Sequence, residues 1–188
     1  ETSWLEEVRL HDQLKHPSVC ALFGYVVSDG SLFAALELCS GGDLFDHLHG
    51  RGSASFSWME VRSYMSDLIA ATVYVHSCGV THRDIKPGNI LLQKARGQEM
   101  WSLKLADFGL AAYCSPGQFV GGAGTVPYMS PEQLKNSCNE TCDVWACGCV
   151  LYDLICRDYM VSLDLWEDRG KTYEFLYYVD YGAKQRLF

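Results

Sequence analysis

Apolar positions along the chain recur with two periods, and the switches between them predict the elements. Over residues 3–15, Leu10 and Leu14 stand one helical turn apart behind a capping-box pair, Ser3 and Glu6, so a helix is expected there, ending before Pro17. Residues 19–27 and 31–38 are runs rich in Val, Phe and Leu that flank "SDG", the pattern of a β-hairpin. Gly41 and Gly42 break the chain ahead of a short helix from Asp43 to His49. A second capping box, Ser57 with Glu60, opens a long helix in which Val61, Tyr64, Met65, Leu68, Thr72 and Val75 repeat at helical spacing and which Gly79 ends. Short strands follow at 90–93 and 102–106. Residues 109–128, with five glycines and two prolines, read as a long loop. The stretch 142–156 is apolar nearly all round, as in a helix buried at the middle of a domain. The order of elements is that of an α+β chain whose larger part is helical.

Composition narrows the classes. With 188 residues, 48% of them hydrophobic and 20% charged, the chain has enough apolar side chains to bury a core. The net charge is −8, from 23 acidic and 15 basic residues with no Lys/Arg cluster, which argues against nucleic-acid and anionic-membrane binding. The longest apolar run, Val144 to Tyr152, is about half of the roughly 20 residues that span a bilayer, so no membrane insertion is expected. The opening "ETSWLEE" has no secretory-signal character and no Met, so the chain is expected to be a piece of something longer, in an intracellular, cytoplasmic setting. Nine cysteines lack paired C-x-x-C spacing, and reduced, mostly buried thiols are expected rather than zinc.

The candidate chemistry begins at "THRDIKPGNILL", residues 81–92, which crowds Asp84, Lys86 and Asn89 into six positions around Pro87 and Gly88. Eighteen residues after Asn89 stands Asp107 in "LADFGLA", and "GTVPYMSPE" follows. From these motifs, in this order and spacing, residues 3–156 resemble a eukaryotic-type protein kinase catalytic domain. The resemblance implies a protein-kinase-like fold. Residues 1–38 would be a partial small lobe, with the αC helix and the hinge-side hairpin. Residues 39–156 would be a mainly helical large lobe, and 157–188 a divergent segment packed against it. It also implies ATP and Mg²⁺ as cofactors. Phosphoryl transfer needs alignment and charge neutralisation more than covalent work. Asp84 would accept the proton of a substrate hydroxyl, Lys86 would offset phosphate charge, and Asn89 with Asp107 would supply the hard oxygens Mg²⁺ prefers. In the same way Leu36, Glu37 and Cys39 would form the adenine-binding hinge, with Leu36 as gatekeeper. Asp43 would contact the ribose and Leu91 would lie under the adenine. Arg83 would tie the catalytic loop to the activation segment, Thr125 would contact Asp84 and Lys86, and Asp143 would anchor the backbone near His82. Lys86 placed two residues after Asp84, and the absence of a tyrosine-kinase Trp pattern, resemble the serine/threonine kinases, which implies protein substrates with a Ser or Thr acceptor.

Three departures stand beside the resemblance. No glycine-rich loop or β3 lysine occurs in the sequence, although Glu7 matches the helix glutamate that pairs with that lysine. An unpaired sheet edge, exposed apolar surface and little or no phosphotransfer by residues 1–188 alone are therefore expected. Between Asp107 and Thr125 there is no charged side chain, and the only hydroxyls are Tyr113 and Ser115, so Arg83 would lack a phosphate partner. His11 takes the place of an aliphatic residue that would stack on Phe108, and is expected there as neutral packing. Two function classes follow: a serine/threonine kinase, or a pseudokinase serving as a protein-interaction scaffold. The retained Asp84, Lys86, Asn89 and Asp107 favour the first.

Overall fold

The computed structural model describes residues 3–156 apart from 53, 95, 96, 98 and 116. Its elements are α1 (Ser3–Gln13), β1 (Leu22–Ser28), β2 (Ser31–Leu36), α2 (Leu44–Gly50), α3 (Trp58–Ser77), β3 (Val80–Thr81), β4 (Ile90–Gln93), β5 (Ser102–Leu105), β6 (Ala112–Tyr113), α4 (Pro131–Leu134) and α5 (Thr141–Cys156), with 3₁₀ turns at Pro87–Asn89 and Val126–Tyr128. This is an α+β arrangement of three two-stranded antiparallel sheets, β1–β2, β3–β6 and β4–β5, among helices.

Local signals set most boundaries. The hairpin pairs Ser28 with Ser31, and its two loop residues, Asp29 (φ 52) and Gly30 (φ 75), both adopt positive φ, as the tight turn compatible with strand twist requires. Ser57 Oγ accepts from the Glu60 N–H while the Glu60 carboxylate accepts from the Ser57 N–H at 2.8 Å, completing the capping box of α3. Gly79 (φ 71) turns the chain out of α3.

Two expected boundaries move for one reason. The run 19–27 starts its pairing with β2 only at Leu22, because the Cys20 N–H donates to the Leu105 carbonyl at 2.8 Å and the Leu105 N–H to Ser18. The segment before β1 is thus stitched to β5, and the hairpin is shorter than expected at its open end, where β1 starts at Leu22 and β2 stops at Leu36. The expected loop 109–128 also holds β6, which pairs with β3, and a 3₁₀ turn.

One apolar cluster runs through the molecule. Leu10 and Leu14 of α1, Tyr64, Leu68 and Val75 of α3, Ile90 and Leu92 of β4, Leu103 and Leu105 of β5, Phe108, and Val150 and Leu154 of α5 belong to it. Burial of each such side chain stabilises by about 1.5–3 kcal/mol relative to exposure. α5 is buried on the face carrying Ala146, Val150 and Leu154, while Val144, Tyr152 and Ile155 are exposed, so the expected all-round burial holds on one face. Among the cysteines, Cys20, Cys114, Cys147 and Cys149 are buried outside any disulfide, Cys39 is half-buried and Cys78 and Cys156 are exposed, but the sulfurs of Cys138 and Cys142 are paired, which the expectation of reduced, mostly buried thiols did not include. The expectations for residues 157–188 lie outside the described residues.

Candidate active site

The catalytic-loop segment is held in an irregular path by a buried carboxylate from another helix. Asp143, in the first turn of α5, accepts the His82 N–H on Oδ2 and the Arg83 N–H on Oδ1, each at 2.8 Å. Its Oδ2 also meets His76 Nε2 of α3 at 2.8 Å, a partner that the sequence reading did not include. Arg83 is left at φ 68, a left-handed conformation that costs a residue with a Cβ about 1 kcal/mol or more and persists only where its surroundings hold it. The residue that follows is Asp84.

Asp84 is buried, 6% exposed, and each of its carboxylate oxygens accepts two bonds. Oδ1 takes the Thr125 N–H and hydroxyl, both at 2.7 Å. Oδ2 takes the Lys86 ammonium at 2.8 Å and the Asn89 amide at 3.0 Å. Lys86 Nζ donates as well to Thr125 Oγ1 at 2.7 Å, and Asn89 Nδ2 to the Asp84 carbonyl at 2.9 Å. Three loop residues expected to act together are therefore in one hydrogen-bonded group with Thr125. The 3₁₀ turn Pro87–Asn89 makes this possible: it swings Asn89 back over Asp84, which a straight strand would not do.

Asp107 joins this group through the backbone, since the Ala106 N–H donates to the Asn89 carbonyl at 2.9 Å. Asp107 also has positive φ (61), its carboxylate is exposed, and Oδ1 accepts the Gly109 N–H at 3.1 Å. With both amide hydrogens of Asn89 directed at Asp84, its side-chain oxygen remains as an acceptor. That oxygen and the exposed Asp107 carboxylate form the kind of hard donor set that suits Mg²⁺. Phe108 is buried between two imidazoles, with centroids 4.7 Å from His11 and 4.9 Å from His82. His11 Nε2 donates to the Cys20 carbonyl at 2.7 Å, and burial holds its pKa below the usual imidazole value against that bond. Glu7 faces Asp107: a Cβ on Gly109 would lie 3.1 Å from Asp107 Oδ1 and 3.3 Å from Glu7 Oε2. Burial, then the Asp107 charge, raise the Glu7 pKa. A cavity of 490 Å³, lined by Glu7, Leu10, Phe108, Gly109 and Tyr113 among others, opens between α1 and the start of the activation segment, away from Asp84.

The five expected nucleotide contacts lie on two connected stretches. Leu36, 49% exposed, ends β2. The Glu37 carboxylate turns inward, accepting the Ala21 N–H at 3.2 Å and Lys104 Nζ at 2.9 Å, an ion pair with β5 that the sequence did not signal. The Cys39 thiol shares a hydrogen bond with that of Cys20, and burial pushes its pKa up to about 12. Gly41 and Gly42 zip to β4 through the Leu92 backbone, an approach so close that a Cβ on Gly41 would meet the Leu92 side chain at 2.7 Å and the Trp101 ring at 2.8 Å. Asp43 then caps α2, its Oδ1 accepting from Asp46 N–H at 2.8 Å, and bridges Leu91. Arg83 reaches the activation segment through carbonyls, donating from Nε to Leu110 at 2.6 Å and from a terminal nitrogen to Gly121 at 2.9 Å.

Comparison with known proteins agrees with this geometry. The family model described as the protein kinase domain matches residues 1–173. The chain is 34% identical over 151 residues to calcium-dependent protein kinase 5 of Plasmodium berghei (strain Anka), covering 80% of this chain and 26% of that protein. It is 35% identical over 154 residues to calcium-dependent protein kinase 12 of Arabidopsis thaliana, covering 81% of this chain and 31% of that protein. Calcium-dependent protein kinase 7 of the same plant is 35% identical over 158 residues. The chain thus spans less than a third of the length of these relatives.

Proposed function

This chain belongs to the protein kinase family, and from that premise we propose that it carries the catalytic half of an ATP- and Mg²⁺-dependent protein serine/threonine kinase. Residues 1–38 are its partial small lobe and 39–156 its large lobe. The observation that carries the reading is the convergence of Lys86, Asn89 and Thr125 on the buried Asp84 carboxylate, with Asp107 one residue beyond the Ala106–Asn89 backbone bond. A scaffold has no physical use for four such groups in one place.

Asp84 is the proton acceptor. All four of its acceptor positions are filled here, so a substrate hydroxyl enters by displacing one donor, and the Thr125 hydroxyl, shared between Asp84 and Lys86, is the most easily exchanged. Lys86, released toward the transferring phosphate, opposes its charge. The Asn89 side-chain oxygen and the Asp107 carboxylate would hold Mg²⁺, which would supply charge neutralisation on the nucleotide. Leu36, Glu37, Cys39, Asp43 and Leu91 line the nucleoside end, where the Asp43–Leu91 bridge and the Gly41–Leu92 bonds fix the hinge against β4. The acceptors are Ser and Thr of proteins.

The test is phosphoamino-acid analysis after reaction of the natural full-length polypeptide containing this chain with Mg²⁺, ATP and a mixed protein substrate. Phosphoserine and phosphothreonine are expected. Asp84→Asn is expected to lower kcat about 10²–10⁴-fold, the usual contribution of a positioned base. Phosphotyrosine alone, or full rate in the Asp84→Asn variant, would refute the reading.

A further inference from the structure

Beside the catalytic loop lies a buried side chain to which neither the motifs nor the proposed mechanism gives a role. Gln133, in the last turn of the short helix α4, is 2% exposed. Its backbone N–H donates to Ser130 Oγ at 3.2 Å and its Oε1 accepts the Ser130 N–H at 3.3 Å, a reciprocal cap that fixes the side chain's oxygen. The amide nitrogen then points away from the helix and donates to two backbone carbonyls from different segments: Arg83, at 2.8 Å, and Ala123.

Both acceptors belong to peptides that carry the chemistry. The Arg83 carbonyl begins the peptide that leads into Asp84, and Arg83 is the residue in the left-handed conformation. Its N–H is held by Asp143 at 2.8 Å, so Gln133 secures the other end of the same strained residue. Ala123 stands two residues before Thr125, whose N–H and hydroxyl both bond Asp84. Gly124 lies between them at φ 133, and a Cβ there would collide with the Arg83 carbonyl and approach the Gln133 amide to 3.0 Å. Only a residue without a Cβ lets the two segments close around one carboxamide.

We propose that Gln133 is a positioning residue for phosphoryl transfer: its carboxamide staples the Arg83 and Ala123 carbonyls together and thereby sets the register of Thr125 and Asp84. An apolar residue of the same size fills the space and leaves two carbonyls unpaired, which frees the Arg83–Asp84 peptide to rotate out of its left-handed setting. The inference rests on the phosphotransfer reading of Asp84 for its kinetic consequence, and on geometry alone for its structural one.

The experiment compares Gln133→Met and Gln133→Glu with wild type in the natural full-length polypeptide, measuring steady-state kinetics, thermal unfolding and amide hydrogen exchange. Gln133→Met is expected to lower kcat about 10–100-fold, the scale of an ångström misplacement at a reacting group, with KM for ATP within about twofold. Exchange at Asp84 and Thr125 should rise by at least about tenfold while the cooperative thermal transition is kept. Gln133→Glu, an acceptor facing two carbonyls, should lose more than Met does. Unchanged exchange at both amides, or unchanged kcat in an active enzyme, overturns the proposal. Loss of the thermal transition in both variants also overturns it, since Gln133 would then serve folding as a whole. If wild type transfers no phosphate, the functional reading fails while the exchange arm still decides whether the staple exists.

Discussion

His11 sits where an aliphatic side chain was expected, and the structure shows how an imidazole is accommodated there. It is 6% exposed, packed at a tilt against the Phe108 ring, with Nε2 donating to the Cys20 carbonyl. The charges around it are Asp12 on its own helix, Lys15 just beyond that helix's end and His82 across the Phe108 ring. Burial lowers its pKa, so the neutral form is the one the fold selects. An unfolded chain then binds the proton more readily than the folded one, and stability is complete above the unfolded value of about 6.5 and is lost as pH falls toward the folded value. One proton sets a ceiling of about 1.4 kcal/mol per pH unit on that slope. Urea unfolding between pH 7 and 5 is expected to show stability falling with acid, and His11→Leu to flatten part of the fall. His47, also lowered by burial and then by Arg51, accounts for a remaining slope. An identical pH profile in wild type and His11→Leu would show that His11 titrates alike folded and unfolded.

Among the elements, the activation segment departs furthest from what its sequence displays. Residues 109–124 have no charged side chain, yet the described ones among them are held by contacts at several points. β6 pairs with β3, Arg83 takes the Leu110 and Gly121 carbonyls, and the Glu140 carboxylate accepts the Gly117 N–H at 3.1 Å. Val120 and Cys138 exchange backbone bonds, and Gln133 holds Ala123. The guanidinium that would otherwise await a phosphate is occupied by backbone oxygens, so activity of the full-length polypeptide is expected without phosphate at Tyr113 or Ser115. Phosphatase treatment with mass spectrometry checks this: activity should change by less than about twofold, and a stoichiometric Ser115 phosphate required for turnover would count against it. These contacts explain what was legible. The hairpin turn at Asp29–Gly30 and the cap at Ser57 and Glu60 are decided within three residues, and the sequence shows them directly. The contacts of Lys86 and Asn89 with Asp84 were legible because a compact motif carries them, whereas that of Thr125, 41 residues on, was legible only through the family resemblance. Gln133 to Arg83 spans 50 residues and His76 to Asp143 spans 67, and neither leaves a local periodicity to read. α4 is only four residues long and its Ser130 cap resembles any loop serine.

At the scale of the whole molecule, the decisive contrast among the described residues is between a continuous core and a hairpin with exposed apolar faces. The core runs from α1 through α3 and the β4–β5 pair to α5, which gives Asp84, Asn89 and Asp107 a rigid base. The β1–β2 pair is tied to that base at its root, by the Glu37–Lys104 ion pair and by Lys15 Nζ donating to the Leu22 carbonyl at 3.2 Å. Beyond the root it forms a two-stranded sheet with Phe23 73% exposed and Tyr25, Val26, Val27 and Phe33 also exposed on its two faces. Two strands alone are marginal in water, and contiguous apolar surface of this kind binds other apolar surface. The same hairpin ends in Leu36 and leads into Glu37 and Cys39, so the nucleoside end of the proposed site hangs on the least supported element. Glu7 adds to this, since the group it faces is another carboxylate. Residues 1–188 on their own are therefore expected to bind Mg²⁺-ATP at least about 100-fold more weakly than the full-length polypeptide, a loss of about 2.7 kcal/mol, and to transfer little phosphate. Titration calorimetry on both proteins measures the first and a phosphotransfer assay the second, with enhanced fluorescence of an apolar dye in the 188-residue chain reporting the open faces. Equal affinity and ordinary turnover by residues 1–188 would mean that the hairpin needs no further cover to hold the nucleotide.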